Sequence, residues 1–596
     1  MGGNVVLWNT DTSDPDYYHK NVDCQWACPA HTNVPEYIRL IAQGRYADAY
    51  LLNRQSNVFP GILGRVCDRP CEPACRRGRL PDQEPVAICR LKRVAADLKG
   101  DIKDRLPQKP SKLNSRKVAL IGGGPASLTV ANDLLPLGYE CELFDKNPAL
   151  GGAMRTAVPA FRLPESVLQE EIEMITDLGL KVHLNHEIED LDALRQKGFD
   201  AIFVGTGAPE GRLLSLPGAD DVKASLLVGL KWLEDVAFGH ANLLGKHVIV
   251  IGGGNTAMDC CRTALRQGAE RVTVVTPEGF DEMLASDWEK EEAVEEGVEV
   301  RNHLLPVSFK DLNGQVEVEF QPLNRVWGKD GGWDPQPSGD PNLQIKAHQV
   351  ILAVGQNRAF PFIDDSLGIK LDQHGLPLVD ERTFQSSLPE VFFGGDAAFG
   401  PKNIITAVAH GHKAAIGIHE FLQQGSVGPD QPPKVDLDSQ KIGLHEWSYS
   451  NDYQGDERYR VPSLDLSKRF QNLKLEVELG YDDQLALKEA ERCLNCDVQT
   501  VFSGPSCIEC DACIDICPTD CLTLTNSGER DQLDLRVPAV NPLQNLFQSE
   551  PLETGRSMIK DENVCLHCGL CAERCPTGAW DMQKLNLRLP KAGATS

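Results

Sequence analysis

Two cysteine motifs in the last hundred residues have the spacing of iron–sulfur ligands. The run Cys507-x2-Cys510-x2-Cys513-x3-Cys517-Pro518 is repeated as Cys565-x2-Cys568-x2-Cys571-x3-Cys575-Pro576. In the two-cluster arrangement of this run, the fourth cysteine of each motif ligates the other cluster. We therefore expect one [4Fe–4S] cluster on Cys507, Cys510, Cys513 and Cys575, and another on Cys565, Cys568, Cys571 and Cys517. Zinc is the alternative, but tetrahedral zinc sites normally use two pairs of ligands and longer gaps.

A second group of cysteines lies near the N-terminus. It comprises Cys24-x3-Cys28-Pro29, Cys67-x3-Cys71-x3-Cys75 and Cys89. Six thiols cannot complete two four-ligand sites, but the separate pair Cys493 and Cys496 brings the number to eight. The chain has 20 cysteines. Because they are clustered and no secretory signal precedes them, metal ligation is favoured over a disulfide framework.

The first glycine-rich turn has the features of a dinucleotide site. A short strand, 117–121, leads into Gly122, Gly124 and, in the third small-residue position, Ser127. A helical stretch and a second strand follow, and Asp145 at its end is placed to bind a ribose hydroxyl. The order of strand, turn, helix, strand and acid is more specific than the glycines alone. The predicted contacts are Gly122, Gly124, Pro125, Ala126, Ser127, Asp145, Lys146 and Gly152.

The same pattern recurs about 130 residues later. Strand 247–251 leads into a turn and then a helix, which predicts contacts from Gly252, Gly254, Asn255 and Thr256. Two such units predict two dinucleotides, and the alternative is that the glycines only connect strands. The next strand ends at Thr276-Pro277-Glu278, without a basic pair. An acid at this position pairs with a ribose 2′-hydroxyl and would repel a 2′-phosphate, so we predict NAD(H) rather than NADP(H).

The length of the chain, and its alternation of cysteine-rich segments with strand, glycine-turn and helix patterns, predict a multidomain α/β protein. The 596 residues carry a net charge of −26, which argues against a nucleic-acid surface. No apolar run is long enough to span a bilayer, so we expect a cytoplasmic protein. The expected parts are a helical iron–sulfur domain, a Rossmann-like domain interrupted by a second one, a returning linker and a ferredoxin-like α+β domain. Their predicted boundaries are 1–112, 115–245 with 346–425, 246–345, 441–500 and 501–596, with a linker at 425–440.

Residues 20–425 resemble the glutamate synthase small subunit and the N-terminal half of dihydropyrimidine dehydrogenase. The resemblance rests on Cys24–Asp97, Gly122–Leu163 and Gly394-Gly395-Asp396. It implies that the split domain binds FAD and the inserted domain binds NAD(P). It further implies that Asp396 contacts the ribityl–pyrophosphate part of FAD, with Gly395 and Asn403 nearby, and that Arg162 of Pro159–Pro164 also contacts FAD.

The resemblance also implies how the N-terminal cysteines are shared. Cluster one would use Cys24, Cys75, Cys493 and Cys496, so the two ends of the chain should meet in space. Cluster two would use Cys28, Cys67 and Cys71, and the family places Gln or Glu where this chain has Lys92, which cannot ligate iron. We expect Cys89 as the fourth ligand, since it lies three residues earlier on the same helical face. A buried free cysteine is the alternative for Cys89, and packing roles are expected for Cys141, Cys260, Cys261 and Cys521.

Electron counting sets the expected order of cofactors. NADH delivers two electrons as hydride, whereas a [4Fe–4S] cluster takes one at a time, so a flavin must stand between them. We expect an oxidoreductase with FAD, NAD and four [4Fe–4S] clusters, and no single catalytic residue. It would work within a larger complex, as in 2-oxoacid or aromatic acyl-CoA reductase systems, or with a soluble ferredoxin. The alternatives are an NADPH-dependent glutamate synthase small subunit and a non-enzymatic assembly subunit.

Overall fold

The computed structural model describes residues 22–80, 82–241, 245–329, 331–357, 360, 362–363, 367–429, 433–448, 455–526 and 546–594. The chain forms two compact units. The cysteine-rich unit comprises Met1–Arg105, Pro429–Val461 and Gly480–Ser596. The Rossmann unit comprises Leu106–Gly428 and Pro462–Leu479. Among the described residues, no helix is both long and apolar enough to cross a bilayer.

The first sheet of the Rossmann unit is parallel and centred on the strand before the first glycine turn. Its spatial order is Val391–Phe393, Ala201–Val204, Lys117–Ile121, Glu140–Phe144 and Lys181–His183. Apart from the exposed Lys117, the two central strands are buried runs of apolar residues, as expected for a sheet covered on both faces. Helices Pro125–Leu134 and Ile404–Gln424 pack against each other beside it. The late strand confirms that this domain is interrupted and then completed.

The second sheet is also parallel and repeats the same arrangement. Its order is Leu226–Val228, Gln349–Leu352, His247–Ile251, Arg271–Val275 and Glu299–Arg301. The sequence boundaries 246 and 345 therefore require correction, because strands 226–228 and 349–352 belong to this sheet and not to the first. Both are short runs beside Gly turns, and sequence alone does not show which sheet such a run joins.

Other elements of the Rossmann unit surround these two sheets. An antiparallel sheet, absent from the sequence prediction, is built from Leu304–Asp311, Val316–Trp327, Trp333–Pro337 and Leu343–Ala347. The helices are Ala153–Thr156, Glu165–Thr176, Leu191–Arg195, Gly229–Ala237, Asn255–Arg266, Asp287–Glu295, Asp396–Phe399 and Leu466–Arg469. The two-residue strands Glu210–Gly211 and Gln356–Asn357 pair with each other where the chain passes between the domains.

The N-terminal part of the cysteine-rich unit is helical, as predicted. Its helices are Asp23–Trp26, Val34–Ala42, Tyr46–Asn57, Pro60–Val66 and Ile88–Asp97. The side chain of Asn33 caps the second helix by accepting from the backbone N–H of Glu36. The helix Asp483–Ala490 from the far end of the chain packs on this group.

The C-terminal part of the cysteine-rich unit contains two antiparallel sheets. One has the order Lys434–Ser439, Trp580–Arg588 and Val498–Phe502, and the other has Leu522–Asn526, Arg556–Asp561 and Leu546–Gln548. A short antiparallel pair, Lys441–Gly443 with Glu446–Trp447, and helices Ala512–Asp515 and Leu570–Arg574 complete it. The expected linker 425–440 therefore needs correction, since 434–439 is a strand of the first sheet.

Charged side chains join the two ends of the chain within the cysteine-rich unit. Arg39 Nη2 lies 2.7 Å from Asp497 Oδ1, and Lys584 Nζ lies 2.7 Å from Glu36 Oε2. The buried carboxylate of Glu489 accepts from the backbone N–H of Ala87 at 2.7 Å. These contacts hold Glu489, Asp497 and Lys584, from the far end of the chain, against the N-terminal part of the unit.

Candidate functional site

A cavity of about 610 Å³ lies at the carboxyl edge of the first parallel sheet. Its walls are the segments that follow strands 117–121, 140–144, 201–204 and 391–393. Ligands of open α/β sheets bind at this edge. The volume lies within the range of about 300–1,000 Å³ that is typical of ligand pockets.

Most of the residues predicted for the first dinucleotide line this cavity. They are Gly122, Gly124, Pro125, Ala126, Asp145, Lys146, Gly152, Gly395, Asp396 and Asn403. Ser127 lies behind the turn instead, fully buried, and a Cβ added to Gly205 would come within 2.4 Å of its Oγ. Tight packing against Gly205 therefore explains why a small residue, Ser127, occupies the third position of the fingerprint.

Two glycines at this cavity have no room for a side chain. Gly122 has φ +90°, and a Cβ there would lie 2.7 Å from the carbonyl oxygen of Gly205. Gly152 has φ +51°, and its Cβ would lie 2.8 Å from Gly124 Cα. Glycine permits both the left-handed backbone and the close approach of two turns. The resulting cradle, beside the N-terminus of helix Pro125–Leu134, fits a pyrophosphate group.

Acidic side chains mark two ends of the same cavity. Asp145 accepts from the backbone N–H of Gly123 at 2.5 Å and of Asn147 at 2.7 Å, and its burial raises its pKa. Asp396 accepts from the backbone N–H of Lys402 at 3.0 Å, and burial raises its pKa to about 6. Both carboxyl groups therefore have fixed orientations within the cavity wall.

Several further residues line this cavity that sequence reasoning missed. They include His186, Glu187, Glu234, Gln356 and Lys402. Lys402 lies in the loop between two predicted residues, Asp396 and Asn403. That position was the one sequence signal that could have indicated a residue at this cavity. The others come from segments without any fingerprint.

The second glycine turn lies at the carboxyl edge of the second sheet. Gly252 has φ +141°, and a Cβ there would lie 2.2 Å from the carbonyl oxygen of Ala353. Gly254 precedes helix Asn255–Arg266 and has nothing within 4 Å of a Cβ position. Asn255 Oδ1 accepts from the backbone N–H of Ser286 at 2.9 Å, and Thr256 opens the first turn of the helix beside it. The turn is thus preorganised, with open space in front of a helix N-terminus.

Glu278 lies directly beside this turn. Its carboxylate accepts a hydrogen bond from Thr276 Oγ1, and a Cβ on Gly253 would lie 3.1 Å from its Oε2. Glu278 is 9% exposed. The side chain of Arg301 at the end of the next strand is directed to Glu299, with Nε 2.7 Å from Oε1. Glu278 therefore places a carboxylate beside the turn, while Arg301 is engaged by Glu299.

Four cysteines from distant parts of the chain surround one small cavity in the cysteine-rich unit. They are Cys24, Cys75, Cys493 and Cys496. Asp23, Arg76 and Arg77 complete its polar wall. The structure therefore brings together the set predicted for cluster one, and four thiols facing one cavity fit a [4Fe–4S] cluster.

A second group of N-terminal thiols is packed around Cys89. The Cys89 thiol hydrogen-bonds with those of Cys67 and Cys71, and Lys92 Nζ lies 3.9 Å from its Sγ. Cys28 lies within electrostatic range of the same ammonium group. All four cysteines are buried, as is Lys92. Cys89 therefore lies with the other three predicted ligands of cluster two.

The C-terminal motifs form two separate cavities with crossed cysteines. One is lined by Cys507, Cys510, Cys513 and Cys575. The other is lined by Cys517, Cys565, Cys568 and Cys571, together with Cys521. These are the two ligand sets predicted from the spacing, and each fits a [4Fe–4S] cluster.

Comparison with known proteins agrees with this organisation. Residues 116–411 match the pyridine nucleotide-disulphide oxidoreductase family, residues 17–103 match the dihydropyrimidine dehydrogenase domain II 4Fe-4S cluster family, and residues 506–579 match the 4Fe-4S dicluster domain. The chain is 34% identical to the NADP(+)-dependent formate dehydrogenase subunit beta of Moorella thermoacetica, over 79% of this chain and 70% of the relative.

Two further relatives are similar over most of their length. The NADPH-Fe(3+) oxidoreductase subunit beta of Geobacter sulfurreducens is 32% identical, over 82% of this chain and 78% of the relative. The glutamate synthase [NADPH] small chain of Escherichia coli is 33% identical, over 68% of this chain and 89% of the relative. The chain belongs to the glutamate synthase small subunit-like family of oxidoreductases. It is a flavin- and iron–sulfur-dependent electron-transfer oxidoreductase that uses a nicotinamide nucleotide.

Arg162, which the resemblance places at FAD, pairs with two acids of the second dinucleotide domain. Arg162 does not line the large cavity. Its guanidinium pairs with Asp259 at 2.6 Å and with Glu289, both on helices of the second dinucleotide domain. Both ion pairs connect the segment that contains Arg162 in the first dinucleotide domain to helices of the second. The guanidinium of Arg162 therefore links the two domains. Contact with FAD stays a prediction.

Cys521 is a fifth thiol at one of the C-terminal cavities. Its Sγ lies 3.4 Å from that of Cys517. Sequence analysis assigned it to packing because it fills a small-residue position after Cys517-Pro518, and its burial agrees with that interpretation. Cys141, Cys260 and Cys261 are likewise buried, in the first sheet and in helix Asn255–Arg266.

Proposed function

We propose that this chain transfers electrons between NAD(H) and four [4Fe–4S] clusters through FAD, as the electron-transfer subunit of a larger complex. The observation that carries the proposal is the presence, in one polypeptide, of a dinucleotide cavity, a second dinucleotide turn and four groups of four cysteines. When bound, FAD exchanges two electrons with the nicotinamide and single electrons with the clusters.

Glu278 supports NAD(H) as the nucleotide, although the relatives named above carry NADP or NADPH in their names. The carboxylate lies beside Gly253 at the end of strand Arg271–Val275, where a 2′-hydroxyl would be an acceptable donor. A 2′-phosphate would meet a buried negative charge there. Replacing this acid with a cation should therefore reverse the preference.

The ratio of kcat/KM for NADH and NADPH in anaerobic dye reduction tests this assignment. We expect the wild type to favour NADH and Glu278→Arg to shift the ratio toward NADPH by at least tenfold, about 1.4 kcal/mol. Glu270→Arg, at an exposed position of the same domain, is the matched control and should leave the ratio unchanged. A wild type that favours NADPH would contradict the assignment.

The identity of the complex is the second part of the proposal. The family relatives named above include subunits of a formate dehydrogenase and of an iron reductase. We expect the other substrate to bind on a partner polypeptide, in a 2-oxoacid or acyl-CoA reductase type of system, or the partner to be a soluble ferredoxin. Co-purification from the native host followed by identification of the associated chains tests this expectation.

A glutamate synthase small subunit is the alternative that one observation favours, because this chain spans 89% of the Escherichia coli small chain. Glutamine-dependent glutamate formation after mixing with a glutamate synthase large subunit tests it. The third alternative is an assembly subunit without redox activity. NADH-dependent dye reduction would exclude it, because both other functions predict this activity.

A further inference from the structure

The two C-terminal cysteine cavities have the same local backbone geometry. His567 N–H donates to Cys565 Sγ at 3.4 Å, and Glu509 N–H donates to Cys507 Sγ at the same distance. In the fourth positions, Cys521 N–H donates to Cys517 Sγ at 3.3 Å and Ala579 N–H to Cys575 Sγ at 3.2 Å. The two cavities therefore share these hydrogen bonds but differ in the fifth thiol, Cys521, and in what surrounds them.

The Cys565 motif is buried against the N-terminal helices. Cys565, Leu566 and His567 are 7%, 4% and 2% exposed. The guanidinium of Arg76 donates to the carbonyl oxygen of Cys565 at 2.7 Å and to that of Glu562 at 2.5 Å. This arginine is only 4% exposed, so these bonds lie inside the cysteine-rich unit.

Arg76 belongs at the same time to the N-terminal cavity of Cys24, Cys75, Cys493 and Cys496. It lines that cavity together with Asp23, and the two side chains pair at 2.6 Å. One buried guanidinium therefore contacts the walls of both cysteine cavities.

His567 makes a second connection between the same two cavities. Its Nδ1 lies 3.4 Å from the carbonyl oxygen of Cys496, and its Nε2 lies 3.2 Å from Glu562 Oε2. The residue stands between Cys565 and Cys568 in the sequence. A short, buried and hydrogen-bonded bridge thus joins a cysteine of the N-terminal cavity to a cysteine motif of the C-terminal domain.

The Cys507 motif has the opposite surroundings. Cys510 is exposed, and its neighbours Ile508 and Ile516 are 62% and 40% exposed. Residues 503–520 contain four acids and no lysine or arginine. Asp511 and Asp515 are exposed, whereas Glu509 is paired with Arg556 at 2.7 Å. The rim of this cavity combines apolar side chains with negative charge.

We propose that the Cys565 cavity, with Cys517, Cys568 and Cys571, is the inner site of the C-terminal domain, and that the Cys507 cavity is the outer site whose rim docks a redox partner with a basic surface. The exposed isoleucines supply apolar contact, and the acids steer a positively charged protein to the exposed ligand. The docking role rests on the proposed function, whereas the inner and outer positions rest on the contacts of Arg76 and His567.

The positions are tested on the full-length protein with its clusters reduced by dithionite. A soluble dysprosium chelate should broaden the electron paramagnetic resonance signal of one C-terminal cluster more than the other. We expect the sensitive signal to be lost in Cys510→Ala and retained in Cys568→Ala. Loss of the sensitive signal in Cys568→Ala and its retention in Cys510→Ala would overturn the proposal. These spectra do not require reduction by NADH, so they remain informative if the proposed function fails.

A second variant tests the docking surface without touching a cysteine. With the basic haem protein cytochrome c as the acceptor, Asp515→Lys should lower the rate of NADH-dependent reduction about threefold or more at low ionic strength. The difference should shrink as salt is added. Asp220→Lys makes the same charge change at an exposed position of the Rossmann unit and should leave the rate unchanged. Equal rates for Asp515→Lys and Asp220→Lys would overturn the docking surface, and they would do so even if the positions of the two cavities are correct.

Discussion

Lys92 is the residue at which this chain departs from the family pattern, which has Gln or Glu at that position. Its ammonium is buried beside Cys89, Cys67 and Cys71. Burial is the largest single influence and lowers the pKa of Lys92, but the combined electrostatic attraction of the cysteines, with Cys89 first among them, outweighs it, so the pKa is raised. A lysine there supplies positive charge but no ligand. Cys89, one helical turn earlier and fully buried, supplies a thiol instead.

Replacing Cys89 with alanine, which has no atom that can bind iron, should therefore remove one complete cluster. We expect the purified variant to contain about four fewer iron atoms per chain than the wild type, since each cubane holds four irons. Cys141→Ala, at a buried cysteine of the first parallel sheet, is the control and should retain all its iron. A colorimetric assay measures the iron content, and an unchanged count in Cys89→Ala would show that another group completes cluster two.

At the scale of elements, the two dinucleotide turns depend on glycine for different reasons. Gly252 combines φ +141° with a carbonyl oxygen 2.2 Å from its Cβ position, whereas Gly254 has open space. Gly252 is therefore required for the fold of the turn, whereas Gly254 leaves room where a nucleotide would approach. Substitutions at Gly252 should affect stability, and substitutions at Gly254 should affect nucleotide binding.

Gly252→Ala should destabilise the second dinucleotide domain by more than about 1 kcal/mol, because an alanine has neither the conformation nor the space. Gly254→Ala should keep the midpoint of thermal unfolding of the wild type but weaken NADH binding, because its methyl group would fill the open space. Differential scanning calorimetry with fluorescence titration of NADH measures both. A Gly254→Ala variant with wild-type affinity would contradict the position of the nucleotide.

The elements also show how far sequence reasoning reaches. Glycine fingerprints and cysteine spacings are local signals, and they identified both turns and both C-terminal cavities. Strands 226–228 and 349–352 were assigned to the wrong sheet, because a short apolar run carries no mark of its partner. The pairing of Arg162 with Asp259 and Glu289 depends on tertiary contacts that no local pattern encodes, and its contact with FAD stays a prediction.

At the scale of the whole molecule, the cysteine-rich unit is built from both ends of the chain. Cys493 and Cys496 come more than 400 residues after Cys24 and Cys75, yet all four line one cavity. Arg39 with Asp497 and Lys584 with Glu36 hold the same two ends together. The cysteine count indicated that the N-terminal thiols alone were too few for two clusters, and the family resemblance implied that Cys493 and Cys496 complete the set of Cys24 and Cys75.

The central claim is that nicotinamide oxidation and cluster reduction are joined in this chain. The most direct measurement is an anaerobic titration of the full-length protein with NADH, followed by flavin absorbance and by electron paramagnetic resonance, with dithionite as the reference. The account predicts that NADH bleaches the flavin and produces reduced [4Fe–4S] signals, in a protein with about sixteen iron atoms per chain. Flavin bleaching without any cluster signal, in a protein whose clusters dithionite does reduce, would contradict it.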